Sequence, residues 1–462
     1  ISCSRGLKLS SRNDHSIPRE HGSRRQYYKC CRQNTTDAAA QLLHTVDTRR
    51  RLFGIASYLI GPGVIGAKTM DKRRWLVLLV VFVARTSMGF QFQSVASLSP
   101  FIMNELDIAF ATLGTLIGLF MLPGVAVSLP SGALSRRFAD KTIAVWGLLG
   151  MVAGGAILGI STGLNDAILG RLISGAGAVL LNVVLTKMVV DRFSDRQQIF
   201  AMSLLVTSWP FGIGLALSVE PLIAEAATWQ IAMWVTSAFC AISLILMWMF
   251  YHDLPKPETH AKSGIAGSKI SRREMYLVSL VGLIWMLFNV GYIFVVSFTP
   301  IFLSETGASP AEAGIVTSLA TWTLIASVPL GGYMASKLGD DKVWMFGGFI
   351  MMAAAMIALP YTSTIVAVLV IGIAAGPPAG AIMAASGSVL RPSNRGLGMG
   401  IFYTWYYIGM AALPFAGGLV RDLTGKPEGI FLFGGFIMGS CALVLVLFRY
   451  ELKRKPAYPN GD

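Results

Sequence analysis

From Trp75 onward the chain alternates long apolar runs with short polar breaks. Twelve such runs fall near residues 75–98, 110–133, 142–162, 167–190, 198–220, 228–250, 275–301, 311–335, 343–360, 364–389, 397–419 and 429–448. A bilayer core about 30 Å thick is crossed by about 20 residues of helix. Backbone facing lipid must satisfy its own hydrogen bonds, so each run predicts a membrane-spanning helix rather than a strand of an open sheet. The expected fold class is an all-α membrane protein of twelve transmembrane helices in two six-helix halves.

The polar breaks carry a repeat, and a fixed internal period outranks local signals. At an offset of 200, Pro100 meets Pro300, Glu105 meets Glu305, Gly114 meets Gly314, Gly132 meets Gly332, Arg137 meets Lys337 and Asp140 meets Asp340. A second echo has slipped to an offset of 204: Pro210-Phe-Gly-Ile-Gly-Leu in span five returns as Pro414-Phe-Ala-Gly-Gly-Leu in span eleven. The polar stretch 252–273, with Pro255 and Pro257, separates six spans from six and reads as a cytoplasmic linker. The expected division is a first half over 70–251, the linker over 252–273, a second half over 274–450 and a cytoplasmic tail over 451–462.

Composition agrees. Of 462 residues 54% are hydrophobic and 13% charged, and the mean hydropathy is +0.61, far from the balance of an ordinary soluble domain. The net charge of +14 does not point to nucleic acid, because its distribution follows the loops. Of the 26 Lys and Arg after position 69, 22 lie in segments on the side of the entry segment, against Arg421 and Lys426 opposite. That bias predicts both termini on the cytoplasmic face of the plasma (inner) membrane. Of five cysteines, Cys3, Cys30 and Cys31 precede Met70, while Cys240 and Cys441 sit alone in apolar runs. No disulfide framework or metal spacing follows, and no cofactor or metal is expected.

Residues 1–69 stand apart: 12 Lys and Arg against 4 Asp and Glu, no methionine before Met70, and an apolar patch over 52–65 broken by Gly61, Pro62 and Gly63. The expectation is a non-native upstream extension, with a basic targeting segment as the alternative.

Two six-span halves, each with a Gly-initiated basic loop after its second span, resemble the major facilitator superfamily of secondary transporters over 70–451. Gly132, Arg137 and Lys141, and again Gly332, Lys337, Gly339 and Lys342, fit that loop; Arg136 and Ser336 stand where the family has an acid, and Ala139 replaces its second Gly. Arg171 followed by Ser-Gly-Ala-Gly-Ala resembles the family's span-four signature. Arg85 in span one and the Arg391-Pro-x-x-Arg-Gly run resemble the cyanate and nitroimidazole permease-like branch. The resemblance implies alternating access, with Gly132, Arg136, Arg137, Asp140, Gly332, Lys337 and Asp340 controlling opening, and Asp140 or Asp340 substituting for the missing latch acid. It also implies a central path lined by spans one, four, seven and ten, which here carry Arg85, Gln91, Asn182, Trp285, Asn289, Tyr292 and Ser386.

Among these, Arg85 lies ten residues past Trp75, roughly 15 Å deep at helical rise. A charge at mid-membrane costs at least ~2.5 to 3.5 kcal/mol and normally faces a cavity with a partner. No acid stands near that depth, so a small anionic substrate is the natural counter-ion; the rival reading is a structural pin bonded to Gln91, Gln93 or backbone carbonyls. Arg171, about four residues inside span four, is explained by snorkelling or by anion guidance. Lys187 reads as an orientation charge. Tyr403, Trp405, Tyr406 and Tyr407 read as an interfacial belt or as one end of the cavity. The run Gly376, Pro377, Pro378, Ala379, Gly380 is expected to interrupt span ten as a gate or a static kink.

The expected function is therefore a secondary active transporter of a small organic or inorganic anion, monomeric, with lipid and substrate as partners and a coupling proton left open. Proton-coupled efflux of a neutral or drug-like compound and a non-transporting ligand sensor stand as alternatives. Two lone cysteines, linker histidines and no buried acid pair argue against an enzyme.

Overall fold

The structure is a computed structural model of the whole chain; the residues it describes are 72–127, 137–193, 195–253, 270–338, 341–391 and 394–454. Residues 1–71, most of the 252–273 linker and the loop residues Gly132, Arg136 and Asp340 lie outside them. Every described segment is helical or a short connection, and among the described residues there is no strand.

Span one is α1 (Lys72–Ser97), continued past a break at Leu98, ahead of Pro100, by α2 (Ser99–Leu106). Span two is α3 (Phe110–Leu119) and α4 (Leu122–Val127). Spans three to six are α5 (Asp140–Gly159), α6 (Leu164–Val190), α7 (Asp195–Ala226) and α8 (Trp229–Phe250). The second repeat follows as α9 (Arg272–Glu305), α10 (Pro310–Leu338), α11 (Asp341–Ala358), α12 (Thr364–Ser388), α13 (Arg395–Thr424) and α14 (Glu428–Arg454). Among the described residues eleven helices are long and apolar enough to cross a membrane. The twelfth expected span, α13, is 30 residues long, but its glycines and its Tyr-Thr-Trp-Tyr-Tyr segment lower its hydropathy.

Local chemistry sets several boundaries. Ser271 and Glu274 form a reciprocal capping box at the start of α9. Thr228 accepts the Ile231 N–H at the start of α8. Gly425, at φ 65°, closes α13 in a left-handed conformation that other residues rarely adopt.

Two expectations are corrected. The stretch from Gly332, expected as a loop, forms the last turns of α10, which runs to Leu338; its Tyr-Met-Ala-Ser-Lys-Leu sequence holds no helix breaker. The Pro377-Pro378 pair does not interrupt span ten, because α12 is continuous from Thr364 to Ser388 with both prolines inside. The two rings lie against bare backbone on the neighbours: a side chain on Gly331 of α10 would collide with Pro377, and one on Gly348 of α11 with Pro378.

The helices of 72–250 pack chiefly on one another, as do those of 272–454, and the two most extensive crossings between the sets are α3 on α13 and α10 on α7. α3 lies on α13, with Gly114 against the Pro414 carbonyl and Gly118 against that of Ala411. α10 lies on α7, with Gly314 against the Leu217 carbonyl. The two glycines paired by the 200-residue offset thus occupy equivalent places, where a Cβ would strike the facing backbone. Small residues at such points let membrane helices approach closely.

Candidate functional site

Arg85 stands mid-way along α1, half-buried, with its Nε unpartnered. Neither alternative anchor reaches it. Gln91 donates to the Met151 carbonyl at 2.8 Å and to Ser174 Oγ at 3.1 Å, and Gln93 donates to the Val296 carbonyl at 2.7 Å. Tyr403, Tyr406 and Tyr407 of α13 lie close enough to Arg85 to act on it electrostatically. These tyrosines, three and four residues apart, share one helical face. They contact one another edge-on, at 6.3 Å for Tyr403 and Tyr406 and 5.2 Å for Tyr406 and Tyr407. Among the described residues no carboxylate makes an ion pair with Arg85.

From Arg85 an aromatic wall continues to α9. Phe402 meets Tyr403 at 5.2 Å, and Trp285 stacks on Phe402 at 6.0 Å and on Phe288 at 5.9 Å. Trp285 Nε1 is a second buried donor with no partner. Asn182 of α6 donates to Tyr407 Oη at 3.4 Å, and Asn289 Nδ2 donates to the Trp285 carbonyl at 2.8 Å. Arg85, Asn182, Trp285 and Asn289 are thereby linked through the tyrosine face of α13, a helix outside the expected path-lining set. Of the aromatic quartet, Trp405 alone is turned outward, 37% exposed.

The other candidates lie elsewhere. Gln91 is bonded inside the first repeat. Tyr292 donates to Thr321 Oγ1 at 2.9 Å, pinning α9 to α10. Ser386 donates to the carbonyl of Met383 in its own helix at 2.7 Å.

Arg171 does not snorkel: its exposure is 0%. Its Nε donates to the Leu116 carbonyl at 2.9 Å, Nη1 to Gln91 at 3.0 Å, and Nη2 to Phe92 at 3.1 Å and Ile117 at 3.3 Å. The break between α3 and α4 explains the two acceptors on α3. Met121 N–H turns to the Gly118 carbonyl, leaving that of Ile117, its usual helical partner, to the guanidinium. Phe120 covers the cation at 4.7 Å.

Glu220 escaped the sequence reading, which ended span five there. α7 continues through Pro221 to Ala226, so Glu220 is more than a turn inside and fully buried. Thr236 Oγ1 donates to its Oε1 at 2.7 Å, and Oε2 has no partner. The apolar residues following Pro221 were the available signal.

At the end of the bundle that holds Lys72 and Arg454, Asp140 receives Lys187 at 2.5 Å, a contact between α5 and α6. Asp140 is thus spent within the first repeat, and Lys187, read as an orientation charge, also pairs with Asp191 at 3.3 Å. Arg137 is exposed. Nearby, Arg192 donates to the His252 carbonyl and lies 4.6 Å over the Tyr251 ring; burial pushes the Tyr251 phenol up to about 12. Gly332 and Lys337 belong to the last turns of α10.

The sequence profile of the Major Facilitator Superfamily matches residues 77–305 and 280–462, and the chain belongs to that superfamily. The inner membrane transport protein YajR of Escherichia coli is 25% identical over 391 residues, covering 80% of each chain. The nitrite extrusion protein of Bacillus subtilis is 20% identical over 258 residues, 54% of this chain and 63% of that one. Among solved structures, a D-xylose-proton symporter superposes with a TM-score of 0.67 over 83% of this chain and 98% of its own, at 15% identity. The protein is a multi-pass membrane transporter of the secondary class, not an enzyme.

Proposed function

We propose that the protein moves a small anion, bound at Arg85, by alternating access. One observation carries this reading: the deep guanidinium has an unpartnered donor and no carboxylate beside it among the described residues. Its planar fork suits an oxyanion or carboxylate, Trp285 Nε1 offers a further donor, and the tyrosine face of α13 supplies hydroxyls and ring edges. A relative named for nitrite extrusion supports an anion as cargo. The two repeats, 70–251 and 274–450, rock about this site. Counterflow into proteoliposomes with a panel of small anions tests the class; uptake of cations alone defeats it.

Glu220 favours a second element, proton coupling. A fully buried carboxylate held by a hydroxyl, with one oxygen unpartnered, is placed to take a proton within the membrane. Arg171 of the same repeat lies close enough to act on it electrostatically. The test is whether an imposed pH gradient accelerates uptake in the parent and in Glu220→Gln.

A further inference from the structure

The transport site leaves one charged cavity unused. α9 begins with Arg272 and Arg273, α14 ends with Glu451 to Arg454, and these helices pack side by side. Between their ends opens a cavity of about 390 Å³ lined by Arg272, Arg273, Tyr276, Glu451 and Arg454. Arg85 stands 13 residues along α1 from Lys72, about 20 Å from this end of the bundle at helical rise, so the cavity is separate from the proposed anion site.

Three guanidinium groups face one carboxylate. Arg273 Nη1 donates to Glu451 Oε2 at 2.7 Å, and Nη2 to the Glu451 carbonyl. That pair cancels. Arg272 and Arg454 are exposed and make no hydrogen bond or ion pair among the described residues. Two uncompensated guanidinium forks at a helix-to-helix junction suit a phosphate, which accepts from them in pairs.

The surface below the cavity names the source of that phosphate. Leu443, Leu447, Tyr450 and Arg454 recur at helical spacing along one stripe of α14, and the first three are 71%, 42% and 60% exposed. On α9, Arg272, Met275 and Tyr276 share a face, with Met275 and Tyr276 likewise exposed. Each stripe runs from apolar side chains within the span to a free arginine at its end, matching a phospholipid's acyl chains and charged head. Basic pockets between helices at a membrane face bind anionic lipid headgroups.

We propose that the cavity between the start of α9 and the end of α14 holds the phosphate of an anionic phospholipid, its acyl chains lying along the Leu443, Leu447 and Tyr450 stripe. The site rests on none of the residues assigned to transport.

The test is native mass spectrometry of the full, delipidated chain in detergent, titrated separately with phosphatidylglycerol, phosphatidylcholine and inorganic phosphate. Phosphatidylglycerol should bind more tightly than phosphatidylcholine. Each arginine lost near a charged lipid costs about fivefold, so Arg272→Gln with Arg454→Gln should weaken phosphatidylglycerol about thirtyfold and leave phosphatidylcholine unchanged. The matching pair of lysine variants, which keep charge without the fork, should fall between. Arg395→Gln removes an exposed charge at the same end of the bundle and should change nothing. The proposal is overturned if the double Gln variant binds phosphatidylglycerol like the parent, or if Arg395→Gln loses as much. It is also overturned if inorganic phosphate displaces the lipid at equal concentration, which would assign the cavity to a soluble phosphate.

Discussion

The carboxylate of Asp422, near the end of α13, accepts both the Phe110 N–H at 3.1 Å and the Ala111 N–H at 2.8 Å, capping α3 from the other repeat. Glu225, near the end of α7, does the same for α10, accepting the Ala311 N–H at 2.7 Å. Each acid lies eight residues beyond the carbonyl that meets the paired glycine, Pro414 for Gly114 and Leu217 for Gly314. The two crossings therefore end in matched latches at the end of the bundle away from Lys72. Carboxylates at helix N-termini stabilise by roughly 0.3 to 1 kcal/mol, more when partly buried. Asp422→Asn and Glu225→Gln should each shift the population toward opening at that end by up to about fivefold, and together by about their product. Distances between spin labels on the 227–228 and 425–427 turns would report the shift; unchanged distances in the double variant would contradict the pairing.

Arg171 is predicted to be a structural tie. It joins α6 to carbonyls of both α1 and α3, and hydrogen bonds to a charged group contribute about 1.5 to 3 kcal/mol each. Arg171→Gln should lower the thermal unfolding temperature by several degrees. Arg171→Lys, which cannot reach four carbonyls from one point, should recover only part of the loss. If both variants melt like the parent, the carbonyl cage carries no stability.

Glu220→Gln mimics the protonated acid and keeps the Thr236 contact. It should therefore retain exchange of substrate across the membrane while losing acceleration by an imposed pH gradient. A variant as responsive to the gradient as the parent would exclude Glu220 as the proton carrier.

Gly114→Val should impair folding or membrane yield, because its side chain meets the Pro414 carbonyl at the α3–α13 crossing. Gly314→Val should do the same against Leu217. By contrast Gly347 of α11, which has open space around it, should tolerate alanine with unchanged yield, measured by quantitative fluorescence of a fusion protein.

The sequence made the spans legible because lipid imposes length and apolarity at once, so even α13, diluted by glycine and tyrosine, stands out between its flanking polar breaks. Arg85 stands out as a candidate for the same reason: a lone deep charge has few bland explanations. The partners of Gly114 and Gly314 were not, since an offset of 200 says that two places are equivalent but not which helix each one meets. Glu220 was hidden by Pro221, which looks like a helix end but sits within α7. Arg171 was misplaced because depth along a helix does not say which way a side chain turns; the carbonyls freed by the α3 break drew it inward. The tyrosines of α13 carried two readings until α1 was set against them.

Binding of the transported anion by Arg85 is tested by substrate counterflow with Arg85→Gln and Arg85→Lys. Once the anion panel has identified a substrate, the Gln variant should lose exchange by at least about a hundredfold. That is the order expected when a buried charge partner worth about 3 kcal/mol is removed. The Lys variant should retain partial exchange at a raised KM. Anion exchange in the Gln variant equal to that of the parent would contradict it.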